Sequence, residues 1–285
     1  MSGIPFRGVG RLFLFVLAVA ASGCTLHPGG AAERIAADAA WEKSYIQTSH
    51  FVLTSWHRFS KPGEPLTVYI EGDGKAWLSR SRLSEDPTPL DTLVADLARG
   101  DPSANVAYLA RPGQYAASGS ALCDAAYWAG RRFSEEVITA VDESVDRLRQ
   151  KAKATKIHLV GYSGGAAVAV LIAARRYDVI GVRTIAGNLD HKALNEYHRV
   201  DALSGSLNPI DYASDVSRIP MRHFVGTKDR VVPAFIVQSF ARRTGDLSCR
   251  SVTEVEGATH STGWREKWVS LLLDPLLAAP GRMVD

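Results

Sequence analysis

Apolar positions along the chain follow two periods, and segments of the two kinds alternate. Short runs that are apolar almost throughout read as buried strands: 66–70, 105–110, 156–160, 179–186 and 220–226. The stretch 251–256 alternates and reads as a further strand. Residues 45–59 alternate enough for two early strands, with Phe51, Leu53 and Trp56 as their apolar members. The segments between them carry helical spacing. Residues 91–98 predict a short helix closed by Gly100-Asp101-Pro102. Residues 134–151 predict a long amphipathic one: Val137, Ile138, Val141, Val145 and Leu148 share a face, and Ser134 stands as cap before Glu135 and Glu136. A small-residue run at 166–174 and the segments 232–243 and 264–273 complete the helices. There is no internal repeat. Strand–helix alternation of this kind predicts an α/β class.

The N-terminus follows a different pattern. Arg7 and Arg11 precede a short apolar core, 12–20, and Ala21-Ser22-Gly23-Cys24 resembles a lipobox. The core is too short and wrongly flanked for a stable transmembrane helix, and it reads as an export signal. The expected organisation is a signal peptide at 1–23, lipidation of Cys24, a tether at 24–44 and a catalytic domain at 45–285. Thr25 resembles the pattern of Gram-negative lipoproteins sent to the outer membrane. The expected location is therefore an exported lipoprotein anchored there and facing the periplasm. An ordinary secretory signal cut near Ala20 or Gly23 is the alternative. With 46% apolar residues the chain can bury a sizeable core. Its formal charge of +3 falls to near neutral once the two signal arginines are removed. Nothing therefore calls for nucleic acid as a partner. No spacing of histidines and cysteines points to a metal, and no cofactor is expected.

The chemistry centres on Gly161-Tyr162-Ser163-Gly164-Gly165. It follows a strand and opens a helix, the context a nucleophile elbow needs. The turn is so tight that glycines two before and two after the serine are needed to keep strand and helix apart. The serine hydroxyl then stands at a helix N-terminus, where free N–H groups favour negative charge. Asp229 lies just past the strand 220–226, and His260 just past the strand 251–256. Ser163, Asp229 and His260 thus fall in order at strand ends, as nucleophile, orienting acid and general base. His158 and His223 sit inside strands and read as packing residues, while His191 and His198 lie in a polar insertion where they could touch substrate. The loop Glu71-Gly72-Asp73-Gly74 after the strand 66–70 is placed to complete an oxyanion hole. Its backbone N–H at Asp73, with Gly74 the neighbouring alternative, would pair with that of Gly164. The same loop lacks the glutamate that a calcium loop carries at its twelfth position.

At this point the chain resembles the α/β-hydrolase superfamily over about 45–277, and within it a group of bacterial lipoprotein hydrolases of unassigned substrate. The residues that carry the likeness are Tyr69-Ile70-Glu71-Gly72-Asp73-Gly74, Ala110-Arg111-Pro112-Gly113-Gln114-Tyr115, the elbow, Ala186-Gly187-Asn188-Leu189-Asp190-His191 and Gly205-Ser206-Leu207-Asn208-Pro209. The resemblance implies an α/β-hydrolase fold: a mostly parallel central sheet with helices on both faces. It also implies an esterase-like reaction. The group carries a cysteine where this chain has Gly113, so a local disulfide from Cys123 to that position is not available. Residues 188–217 occupy the place where the superfamily often inserts a cap. That loop and 111–131 are expected to shape the substrate site, with Tyr162, Trp77, Asn188 and His191 as candidate contacts. Arg111 is expected in a structural ion pair, with a substrate carboxylate as the alternative. Cys123 and Cys249 remain after Cys24, and their separate positions in such a fold predict that they are not bonded to each other. The reading is a serine hydrolase acting on a small-molecule acyl substrate, an ester or thioester. A serine peptidase or amidase, and a non-catalytic binding lipoprotein on the same fold, are the alternatives.

Overall fold

The computed structural model describes Met1 and residues 40–79, 81–115, 124–245 and 249–276. The signal peptide, Cys24, most of the tether and Cys123 lie outside the described residues. The strands, in chain order, are β1 (Glu42–Gln47), β2 (Val52–Phe59), β3 (Leu66–Ile70), β4 (Trp77–Ser79), β5 (Arg82–Leu83), β6 (Asn105–Leu109), β7 (Ile157–Tyr162), β8 (Val179–Ile185), β9 (Met221–Gly226) and β10 (Arg250–Val255). The helices are α1 (Leu93–Arg99), α2 (Glu135–Lys151), α3 (Gly164–Ala173), α4 (His191–His198), α5 (Ala234–Arg243) and α6 (Arg265–Leu273).

Eight strands form one sheet in the order β1-β2-β6-β3-β7-β8-β9-β10. β1 and β2 pair antiparallel, as do β2 and β6, and the pairings from β6 to β10 are parallel. The mostly parallel sheet expected from the sequence is thus present. Strands with both faces covered read as continuous apolar runs, and β3 and β6 are buried at every position. Alternate side chains feed two cores. Leu66, Val68 and Ile70 join the face that carries α2, α3 and α5; Tyr69, Tyr108 and Phe224 join the face that carries α1 and α6. α3 is buried at all ten positions. Its glycines and alanines let it lie close against β7 and β8 under the next layer of helix.

Some boundaries differ from expectation. The sheet begins at Glu42, ahead of the anticipated domain start at Tyr45, and Trp41 is already buried. β1 is an edge strand with only Ile46 fully buried, so its sequence looks as polar as a tether. The hairpin β4–β5 is too short to show a period. Residues 188–217 hold α4 and a 3₁₀ turn at Pro209–Tyr212. Leu194 of α4 packs on Val232 and Ile236, which ties this insertion to the start of α5. Cys249 is a buried free thiol just ahead of β10, with its Sγ facing the Ser217 carbonyl. No helix among the described residues is long and apolar enough to cross a membrane.

Candidate active site

Ser163 sits between β7 and α3 with φ 52° and ψ −118°, a backbone conformation that L-residues rarely adopt. Strain of this kind persists only where the surroundings over-determine it. Here they do. The Ser163 N–H donates to the Ile185 carbonyl, and its own carbonyl accepts from the Ala166 and Asn188 N–H groups. A Cβ at position 161 would lie 2.4 Å from the Gly165 carbonyl oxygen, and one at position 165 would lie 2.2 Å from the Ile70 carbonyl oxygen. Both neighbours are backbone and cannot turn aside, so these positions demand glycine.

The hydroxyl faces the two side chains anticipated from the sequence. Ser163 Oγ lies 3.0 Å from His260 Nε2, and His260 Nδ1 lies 2.9 Å from Asp229 Oδ2. Asp229 Oδ1 accepts from the Val231 and Val232 N–H groups, so both oxygens of this buried carboxylate are occupied. The loop carrying His260 is anchored from below. Its carbonyl accepts from Tyr162 Oη at 3.1 Å and from Trp264 Nε1 at 3.0 Å, and the Tyr162 ring lies against the imidazole with centroids 5.3 Å apart.

The loop after β3 reaches over the elbow from the other side. The Asp73 carboxylate comes so near Gly164 that a Cβ there would be 2.0 Å from Asp73 Oδ1. The loop after β3 and the first residue of α3 therefore lie against each other beside Ser163. The carboxylate is met by two guanidiniums: Arg111 Nη1 at 3.7 Å and Arg132 Nη1 at 3.3 Å. Arg111 is thus in the structural ion pair expected of it. Burial depresses its pKa to about 10, which still leaves it charged at neutral pH.

Solved structures share this architecture. An esterase from Pyrococcus furiosus is similar with 15% identity, a TM-score of 0.59, and coverage of 81% of this chain and 90% of the other. An α/β serine hydrolase homologue from Coxiella burnetii is similar with 16% identity and a TM-score of 0.56, over 81% of this chain and 93% of that one. Est1E from Butyrivibrio proteoclasticus is similar with 15% identity and a TM-score of 0.55, over 81% and 98%. The fold is that of the α/β-hydrolases. No protein-family model matches the chain, and no curated protein matches it.

Within this α/β-hydrolase frame, a cavity of about 500 Å³ opens over the elbow, lined by Ser163, His260, Tyr162, Glu71, Asp73 and Trp77 among others. Two of the four candidate substrate contacts, Tyr162 and Trp77, therefore face it. The other two do not. Asn188 is buried, its N–H spent on the Ser163 carbonyl. His191 is buried at the start of α4, 6.0 Å from the Phe133 ring, and burial lowers its pKa. Asn188 thus supports the elbow through its backbone instead of lining this cavity. His198 also departs from expectation: its Nε2 lies 2.7 Å from the Val231 carbonyl, bracing the Asp229 loop. His158 and His223 are packing residues, as expected, with pKa values lowered by burial to about 4 and about 3.

Sequence reasoning missed Glu71 as a site residue. This carboxyl is buried at the cavity edge, accepts from Tyr108 Oη at 2.8 Å and from the Gly72 N–H, and is pushed up to about 7 by desolvation. The available signal was a glutamate directly after five fully buried strand residues. Gln114 was missed too: it donates to the Gly72 carbonyl and accepts from the Arg111 N–H, clamping the loop after β3. Among the described residues no group of acidic, histidine or cysteine side chains is placed to hold a metal ion.

Proposed function

We propose that the protein is a serine hydrolase that cleaves an ester or thioester through an acyl-enzyme. The observation that carries this reading is the continuous line from Ser163 Oγ through His260 to the buried Asp229, with contacts of 3.0 and 2.9 Å. Ser163 Oγ attacks the carbonyl carbon as its proton passes to His260 Nε2. Asp229 holds the Nδ1–H and stabilises the imidazolium. The carbonyl oxygen becomes an oxyanion and is met by the N–H groups of Gly164 and of Asp73 or Gly74, at the N-terminus of α3. Collapse expels the alcohol or thiol, which takes the proton back from His260. Water then enters by the same route in reverse and frees the acid.

A fluorophosphonate probe tests the nucleophile. It should label the purified protein on Ser163 and leave the Ser163→Ala variant unlabelled. A folded parent that resists the probe removes the reading and leaves a binding protein on this fold. A panel of short acyl esters, thioesters and peptide amides then ranks the reaction; faster turnover of amides would replace the esterase reading with a peptidase one. The proposal extends to location: Cys24 is acylated and holds the domain at the outer membrane facing the periplasm. Replacing Cys24 with serine should release the protein from the membrane fraction or leave it uncleaved, and an unmodified mature N-terminus elsewhere would reject this part.

A further inference from the structure

A second cavity, of about 660 Å³, adjoins the one over Ser163. The two meet at Trp77, which lines both, and at the Asp73–Arg132 contact, which joins a wall residue of the first to a wall residue of the second. The second cavity is built by the insertion after β8 on one side and by residues 129–132 on the other. Its walls are of two kinds. Trp77, Val200 and Leu203 give an apolar body, and Arg132 and Arg199 bring two guanidiniums against one carboxylate, Asp201. The volume falls in the range of small-molecule sites, whose pattern of apolar walls with a few fixed polar groups it shares.

The positive charge here is in excess. Asp73 is a single carboxylate shared by Arg111 and Arg132, and Glu71, the other acid acting on Arg111, is pushed up to about 7 by burial, so the cluster keeps a net positive charge. Arg111 is the inner partner, at 4% exposure, and Arg132 the outer, at 15%. Both guanidiniums lie over the buried Phe133 ring, at 5.5 and 5.6 Å from its centroid, which fixes their planes. Arg132 Nε is buried without a hydrogen-bond partner, so the part of the guanidinium left for a ligand is its outer edge. Arg199 makes no ion pair among the described residues. It also occupies the left-handed position that ends α4, with φ 53°, where glycine would fit without strain. Two arginines, one held against Asp73 and Phe133 and one with no ion pair among the described residues, lining a cavity beside a nucleophile, form a receptor for a planar or tetrahedral oxyanion.

We infer that the substrate is an ester with an apolar body ending in an anionic group, a carboxylate or a phosphate, which Arg132 and Arg199 bind in the second cavity while the scissile carbonyl lies at Ser163. This inference rests on the hydrolase reading for the carbonyl alone, and the binding half is tested without turnover. Full-length protein carrying Ser163→Ala is titrated calorimetrically with monomethyl glutarate, with butyl phosphate and with methyl hexanoate, a neutral ester of similar length. The anions should bind at least tenfold more tightly than the neutral ester. The advantage should shrink with salt and fall tenfold or more in Arg132→Gln and in Arg199→Gln. Which of the two anions binds tighter tells carboxylate from phosphate. Arg199 is exposed, so its substitution carries the test even where Arg132→Gln fails to fold. With the parent, the ratio of kcat/KM for a p-nitrophenyl hemiglutarate over p-nitrophenyl butyrate should fall in the same variants. Equal binding of anionic and neutral esters, or an anion advantage that survives both substitutions, overturns the inference. Anion binding without turnover of any ester would retain this site and remove the hydrolase reading instead.

Discussion

The turn after β7 and the loop after β3 approach the Ser163 hydroxyl from opposite sides, but they are held by different forces. Around the turn, backbone packs on backbone: the Ile70 and Glu71 carbonyls stand where side chains at 165 would go, and the Ser163 carbonyl is taken by two amides. Around the loop, ionisable side chains carry the contact: Asp73 pairs with Arg111 and Arg132, and the buried Glu71 carboxyl accepts from Tyr108 Oη. Steric exclusion is all-or-none and indifferent to pH and salt. Charge balance is graded and responds to both. One half of the site is therefore set by shape, and the other is adjustable.

The largest test of that contrast acts on the atom both halves serve. Ser163→Ala should lower turnover by on the order of 10⁴-fold or more while leaving the fold intact, the residue of activity coming from binding and the oxyanion donors. Hydrolysis by the folded variant within tenfold of the parent would reject it. The next test breaks the steric half. Gly165→Ala forces a Cβ against two backbone carbonyls, and we expect at least about 3 kcal/mol lost in urea unfolding, or no soluble protein. A midpoint equal to the parent's would mean that the elbow yields. Breaking the charged half should cost no more and be reparable. Arg111→Met should destabilise by about 3 kcal/mol by leaving Asp73 short of a partner, and adding Asp73→Asn should restore part of the loss. Additive effects in that double-mutant cycle would show the ion pair to be idle.

The smallest effect sharpens the comparison through pH. Glu71 titrates near 7 when folded and at an ordinary carboxylate value when unfolded. The folded chain therefore holds the extra proton between roughly pH 4.5 and 7, and the contribution of this group to stability falls as pH rises through that window, by up to about 3 kcal/mol. His158 and His223, depressed by burial, work in the opposite direction over part of the same range. The Glu71→Gln difference isolates the carboxyl: variant minus parent should grow across that window and level off above it. A difference that does not change with pH would remove the buried-acid assignment.

The same contrast explains what the sequence could reveal. The steric half is local in the chain. Gly161, Ser163 and Gly165 state their own geometry, and Asp229 and His260 stand at ends of strands whose apolar runs are plain. The sheet and most helices were legible for the same reason. The electrostatic half is assembled from distant positions. Nothing near Asp73 announces Arg132, and nothing in the polar run from Asn188 to His198 tells which side chains turn inward. Asn188 and His191 looked like substrate contacts because polarity suggested exposure, yet both are buried. Glu42 through Ser44 looked like tether because an edge strand needs few apolar residues. Glu71 carries a readable sign, an acid directly after a buried strand, although the glycines beside it point only to an oxyanion hole.

The clamped backbone of Ser163 has a consequence in time. Its amide is bonded to β8 near the middle of the sheet, and its carbonyl is held from two directions. Release of that amide to solvent requires parting two central strands, an opening with a free energy close to that of global unfolding. Hydrogen exchange at Ser163 should accordingly be among the slowest in the chain. Rotation about the Cα–Cβ bond is left as the soft coordinate, a picosecond-to-nanosecond motion that swings the hydroxyl toward His260 or away from it.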